Sequence, residues 1–306
     1  MRFPNIIASL FALSLLTALP PASAEDFNLG ATNCEECHQA EYDVWASSPH
    51  EVSFEKFDDP SVELSDTVES ILDAVGDEDM TESATCTVCH FTLIKEEPDE
   101  EAYVDSGPSC ESCHGAASGF RDIHSEKEDD YDTRMAESEG LGMIRPHMKL
   151  AIANNCNGCH AMARDEIDGA TITAMLDAGH PINADFELVR YSQGAVKHRF
   201  YEPDTSVNAD MTSSELANLF VQGQLSQFLA ASQSLTKSDH PDYKSAMQKR
   251  LQSAKDALSA VPAAAGFLAN PSEGEALAVI DAIKDSDLSE AVDSLLPDPD
   301  SYIEVE

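Results

Sequence analysis

The sequence predicts a mostly α-helical protein, and two observations carry that reading. Apolar residues recur at helical spacing in several segments, and helix-start signals stand before two of them. Val68, Ile71, Leu72 and Val75 mark one face of a helix that starts near Ser65-Asp66. Thr212-x-x-Glu215 has the form of a capping box and opens a helix carrying Leu216, Leu219, Phe220 and Leu225. Helical character continues from Asp242 to Val261 through Met247, Leu251 and Leu258, then in two shorter stretches, Gly274 to Lys284 and Leu288 to Leu296. Lys95 to Asp105 and Glu126 to Asp132 read as acidic, solvated loops.

The first 24 residues read as an export signal. Arg2 supplies the positive start, Ile6 to Leu19 is an apolar run of 14 residues, and Ala22-Ser23-Ala24 is a small-x-small cleavage site after Pro20-Pro21. A run of that length is too short to span a bilayer as a helix. The expected mature chain begins near Glu25, carries no membrane span, and is periplasmic or extracellular.

Charge narrows the partners. The 306 residues hold 57 acidic against 18 basic side chains, a net charge of −39. Nucleic acid is excluded as a partner, since polyphosphate recognition needs a basic face. Residues 206–306 carry a net −10 and the preceding residues −29, so most of the charge lies on the cysteine-bearing part. Such a charge either steers a cationic partner or keeps the chain solvated in a salty habitat.

The eight cysteines fall as Cys34/Cys37, Cys86/Cys89, Cys110/Cys113 and Cys156/Cys159, each pair in C-x-x-C spacing. A histidine follows every pair directly: His38, His90, His114 and His160. With 10 histidines in 306 residues, four such coincidences have a chance of about one in a million. Zinc sites and redox dithiols leave the adjacent histidines unexplained. Covalent c-type haem explains all of them: two thiols form thioethers to the vinyl groups, and the next imidazole becomes the proximal iron ligand. Four covalently bound haem c groups are therefore expected, consuming every cysteine and supplying core to a chain with one tryptophan.

The remaining histidines are candidates for the opposite face of each iron. His50 closes Trp45-Ala46-Ser47-Ser48-Pro49-His50, an aromatic and a turn beside the first motif. His124 follows the third motif in a Gly-containing loop, and His180 stands in Gly179-His180-Pro181, where proline biases it to extended backbone. These three are the distal ligands expected. His147, after Arg145-Pro146, is the next candidate, ahead of His198 and His240.

From about Asn33 to His180 the sequence resembles the tetrahaem cytochrome c-554 family. The first motif with Trp45 and His50 downstream carries the resemblance, with the stretch Gly107 to His124, GPSCESCHGAASGFRDIH, and the second motif placed shortly before it. The resemblance implies a mostly helical fold with closely packed haems and little strand. It implies that His38 pairs with His124, His114 with His180, and His160 with His50, leaving the iron bound by His90 open. The local sequence also lets His147 close that iron.

The expected architecture is thus a signal peptide (1–24), a tetrahaem domain (25–205) and a C-terminal helical region (206–306). That last region is read as a hairpin or small bundle packed on the haem domain, with an oligomer contact as its alternative role. The expected function is electron transfer between a periplasmic oxidoreductase and another carrier, with no acid–base constellation beside His90 to suggest catalysis. Two alternatives stand beside it: a haem enzyme reducing a small nitrogen or sulfur species at an open iron, and a subunit of an extracellular haem conduit.

Overall fold

The computed structural model describes residues 26–58, 65–128 and 130–303, with backbone alone for 55–58. The export signal lies outside the described residues. The chain is built from short helices with little strand.

Its first half follows the motifs. Helix α1 (Thr32–Glu35) carries the first motif and leads into α2 (Gln39–Ala46) and α3 (Pro49–Asp58). The break between them is Ser47-Ser48-Pro49, and Pro49 starts α3 at the position where its missing N–H costs nothing. Helix α4 (Asp66–Val75) begins as expected: the Ser65 hydroxyl accepts from Val68 N, and Gly76 ends it in the left-handed conformation at φ 86°. Helix α5 (Ala84–His90) holds the second motif, with the Ser83 hydroxyl accepting from Cys86 N. Strands β1 (Thr92–Ile94) and β2 (Tyr103–Ser106) pair antiparallel with Thr92 opposite Ser106. The acidic segment read as a loop therefore ends in a strand, because Tyr103 and Val104 reach back to Ile94 and Leu93.

Helix α6 (Cys110–His114) holds the third motif, and α7 (Arg121–Ser125) and α8 (Tyr131–Gly140) pack together beyond it. Helix α9 (Lys149–His160) ends in the fourth motif. Helix α10 (Gly169–Asp177), capped by Asp168, lies on α4. Helix α11 (Leu188–Ser192) follows, capped by the Glu187 carboxylate.

The C-terminal part is organised by one helix. In α12 (Ser213–Ser234), Thr212 and Glu215 form the reciprocal capping box expected. Residues 219–229 of α12 are buried without interruption, which is three turns covered on every face. Helix α9 covers one side and α13 (Pro241–Leu258) another. Helices α14 (Ala265–Ala269), α15 (Glu273–Ile283) and α16 (Ser289–Val292) close the rest. Because Leu150 and Ala153 of α9 belong to this same apolar cluster, the fourth motif is mounted on the C-terminal core.

Core is unevenly distributed. The cluster around α12 is large, whereas the first half has two small ones: Ala117, Phe120, Met135 and Met143, and Leu72, Cys86 and Phe91. A half so poor in buried side chains needs a further hydrophobic body to fold around. Within the large cluster Phe267 is fully buried, its ring edge-on to Phe228 at 5.3 Å. Phe267→Ala should cost about 3–5 kcal/mol in denaturant unfolding. Among the described residues no helix is long and apolar enough to cross a membrane.

Candidate haem-binding site

Each motif sits at the end of a helix or just past it. His90, His114 and His160 are the last residues of α5, α6 and α9, and His38 caps α2 just after α1. In a helical turn, residues three apart share a face, so C-x-x-C presents both sulfurs to one side with the histidine just beyond.

One of the eight expected thioether residues, Cys37, departs from the others. Cys86 is buried, six more are half-buried, and Cys37 is exposed. The reason is local. Helix α1 is only four residues long, buries none of them, and ends two residues before Cys37. The turn does continue, since the N–H groups of Cys37 and His38 both donate to Cys34 O at 3.2 and 2.9 Å. Cys37 therefore keeps the helical spacing to Cys34 while lying at the solvent edge of the first motif.

Opposite each motif histidine stands a second imidazole. Ring centroids are 6.4 Å apart for His38 and His124, in planes 15° apart. They are 6.3 Å apart for His160 and His50, 6.1 Å for His90 and His180, and 6.2 Å for His114 and His198. Two metal–nitrogen bonds of about 2 Å, plus about 1 Å from nitrogen to ring centre on each side, give a separation of about 6 Å. All four pairs have the spacing of two imidazoles on one iron.

Hydrogen bonds support the same reading. The Nδ1 atoms of His114, His124, His180 and His198 lie 2.7, 3.2, 2.8 and 2.7 Å from the carbonyl oxygens of Ile144, Phe120, Pro181 and Val196. An Nδ1–H donated to a backbone carbonyl fixes the tautomer in which Nε2 is the free lone pair. Burial pushes the imidazole pKa down for His50, His114 and His180, and for His90 and His160 down to about 4. These rings are held neutral, the form that ligates metal.

The distal rings come from four separate places. His50 lies in the first turn of α3 and His124 in α7. His180 follows α10, where Gly179 at φ 101° turns the chain out of the helix. His198 lies in a loop whose neighbours are clamped by Asn208: Arg199 N donates to its Oδ1, and its Nδ2 donates to Lys197 O.

Two of these juxtapositions are those implied by the family resemblance, and two differ. His180 faces His90 rather than His114, and His198 faces His114. His147 is exposed and takes part in none of these ring contacts. His240 serves a helix end instead, where its Nδ1 accepts from Asp242 N to cap α13 and its Nε2 lies 3.3 Å from Asp177.

The sulfurs order the motifs in space. Cys34 contacts Cys110, Cys113 contacts Cys156, and Cys159 contacts Cys89. The motifs therefore form a row in the order first, third, fourth, second. Among the described residues no three His, Cys, Asp or Glu side chains converge on a common point, which is what a zinc site would require. The cysteine pairs, the imidazole spacing and the core-poor first half all fit haem c.

Comparison with known proteins agrees. Residues 33–115, which hold the first three motifs, match the family model for cytochrome c554 and c-prime. The chain is 23% identical over 158 residues to cytochrome c-554 of Nitrosomonas europaea, covering 49% of this chain and 64% of that one. It thus spans just under two thirds of the length of that relative. No solved structure matches. The two matches support assignment to the cytochrome c-554 family, whose members are c-type cytochromes with covalently bound haem.

Proposed function

We propose that this chain, a c-type cytochrome assigned to the cytochrome c-554 family, binds four haem c groups and carries electrons between a donor and an acceptor protein after export. The observation that carries this reading is the set of four imidazole pairs, each with the separation that one iron requires. When bound, the haems supply one-electron oxidation and reduction.

The protein's residues do the rest. The eight cysteines would tether the groups, and His38, His90, His114 and His160 would each ligate an iron, with His124, His180, His198 and His50 as their partners in the same order. Two imidazoles per iron would offer the same ligands in both oxidation states, so little would rearrange when an electron arrives. The sulfur contacts bring each motif against the next, which suits passage along the row. The first motif stands at one end of that row, where a partner protein would approach it.

The pairing also weighs against the two alternatives. His180 occupies the face of the second site that a haem enzyme would keep open. A conduit subunit that borrows a distal ligand from its neighbour would leave one motif histidine without an imidazole of its own chain opposite it, and here each has one. Net charge of −39 favours basic redox partners over any acidic surface.

Intact mass after acid–acetone extraction tests the haem count. Four haem additions on a chain beginning near Glu25 are expected, and fewer than four would overturn it. Magnetic resonance of the oxidised protein should show low-spin haem alone. A high-spin quarter would reject the fourfold bis-histidine assignment.

A further inference from the structure

Among the described residues, two side chains of Asp, Glu, Lys or Arg are buried: Glu111 and Arg250. They have opposite charge and lie against adjacent motifs, the third and the fourth, which touch through Cys113 and Cys156. Burying one charge is costly, and burying two without pairing them to each other is more so.

Glu111 stands inside the third motif, between Cys110 and Ser112. Its two oxygens accept only from backbone N–H groups: Leu29 at 2.9 and 3.0 Å, Gly30 at 2.8 Å and Ala117 at 2.7 Å. Donors on both oxygens favour the carboxylate over the acid, against burial, which pushes its pKa up. Arg250 projects from α13 to the end of α9. Its guanidinium donates to the carbonyls of His160 at 3.2 Å and Asn183 at 2.8 Å, and to Asn157 Oδ1. It also lies 5.4 Å from the Phe186 ring, which stacks on the His160 imidazole at 4.4 Å. Among the described residues no carboxylate partners Arg250.

We propose that these two buried charges build a potential step into the middle of the row. Arg250 raises the reduction potential of the centre held by His160, and Glu111 lowers that of the centre held by His114. The reason is elementary: reduction adds one electron at the iron, which a nearby buried cation stabilises and a nearby buried anion opposes. An electron delivered by the donor protein on the first-motif side then comes to rest on the fourth-motif side. The C-terminal region, through α13, thereby acts on the redox centres as well as covering them. The proposal rests on the four-haem reading above.

Potentiometric titration of the full-length holoprotein tests it. Arg250→Gln should make reduction of one centre about tenfold less favourable, a fall of 59 mV for a one-electron couple. That centre should be the one whose resonance changes in His50→Ala. Arg250→Lys, which keeps the charge, should restore most of the shift, and Glu111→Gln should move a different midpoint upward.

Haem mass and low-spin resonance, measured on the same samples, separate the two failures. Fewer than four haems in the unsubstituted protein would remove the underlying reading. Four low-spin haems with unmoved midpoints in Arg250→Gln would remove the potential step alone, as would equal shifts in the Gln and Lys variants. If Arg250→Gln does not accumulate, Arg250→Met removes the charge while keeping an apolar stem, under the same criterion. Failure of both to load haem would make Arg250 a structural tie and overturn the proposal.

Discussion

His180→Ala should convert one haem in four from low-spin to high-spin and open the iron held by His90. The reduced variant should then bind about one carbon monoxide per chain, where the unsubstituted protein binds none rapidly. The physical basis is the 6.1 Å ring separation between His90 and His180 and the bond from His180 Nδ1 to Pro181 O that presets the imidazole. Alanine removes the ligand without disturbing Gly179, whose φ of 101° makes the turn. Added imidazole should enter the vacated space and restore low-spin character, which a collapsed site would not permit. His147→Ala should leave the spectrum unchanged, since His147 is exposed and makes none of the four ring contacts. His198→Ala should produce the same conversion at the His114 centre instead. If His147→Ala opens the second centre while His180→Ala leaves four low-spin haems, the pairing is wrong.

These outcomes bear on what a sequence can disclose. The C-x-x-C-H motifs are local, five residues in a helical turn, and are legible without any tertiary information. So are the Ser65 and Thr212 caps, because a cap and its N–H partner lie three residues apart. The histidines opposite the motifs are a different matter, because each lies 84 to 110 residues from its partner. His50, His124 and His180 carry local marks: proline, glycine or an aromatic beside the histidine. His198 has none. Its neighbours are Lys197 and Arg199, and the loop is shaped by Asn208, ten residues on. The pairing of His180 is legible only through resemblance, which directs it to His114. Here the ring of His198 lies opposite His114, and that of His180 opposite His90. Glu111 and Arg250 are equally hidden. A glutamate inside C-E-S-C-H looks no different from the two in C-E-E-C-H, and only the fold brings Leu29, Gly30 and Ala117 around the first of these.

Gly107→Ala should also cost one low-spin haem, although Gly107 is no ligand. It ends the turn after β2 and packs against the first turn of α3, its N–H donating to the Glu51 carboxylate at 3.0 Å. A Cβ there would lie 2.1 Å from the His50 carbonyl oxygen and 3.3 Å from Phe54 Cβ. The nearer contact is with backbone, which cannot rotate away, so α3 must retreat by about 1 Å to remove the overlap. His50 rides on that turn. A ligand set tolerates displacement of only about 0.5 Å, so the bond from His50 to the iron held by His160 should break. Overpacking alone should cost about 1–3 kcal/mol in unfolding experiments, with the lost ligand in addition. The affected centre should be the one that responds to His50→Ala, and carbon monoxide should bind there and at no other haem. Gly274→Ala is the matched control: nothing lies within 4 Å of its added Cβ, and four low-spin haems should remain. Retention of all four in Gly107→Ala would mean that the contact between β2 and α3 does not hold His50 in place.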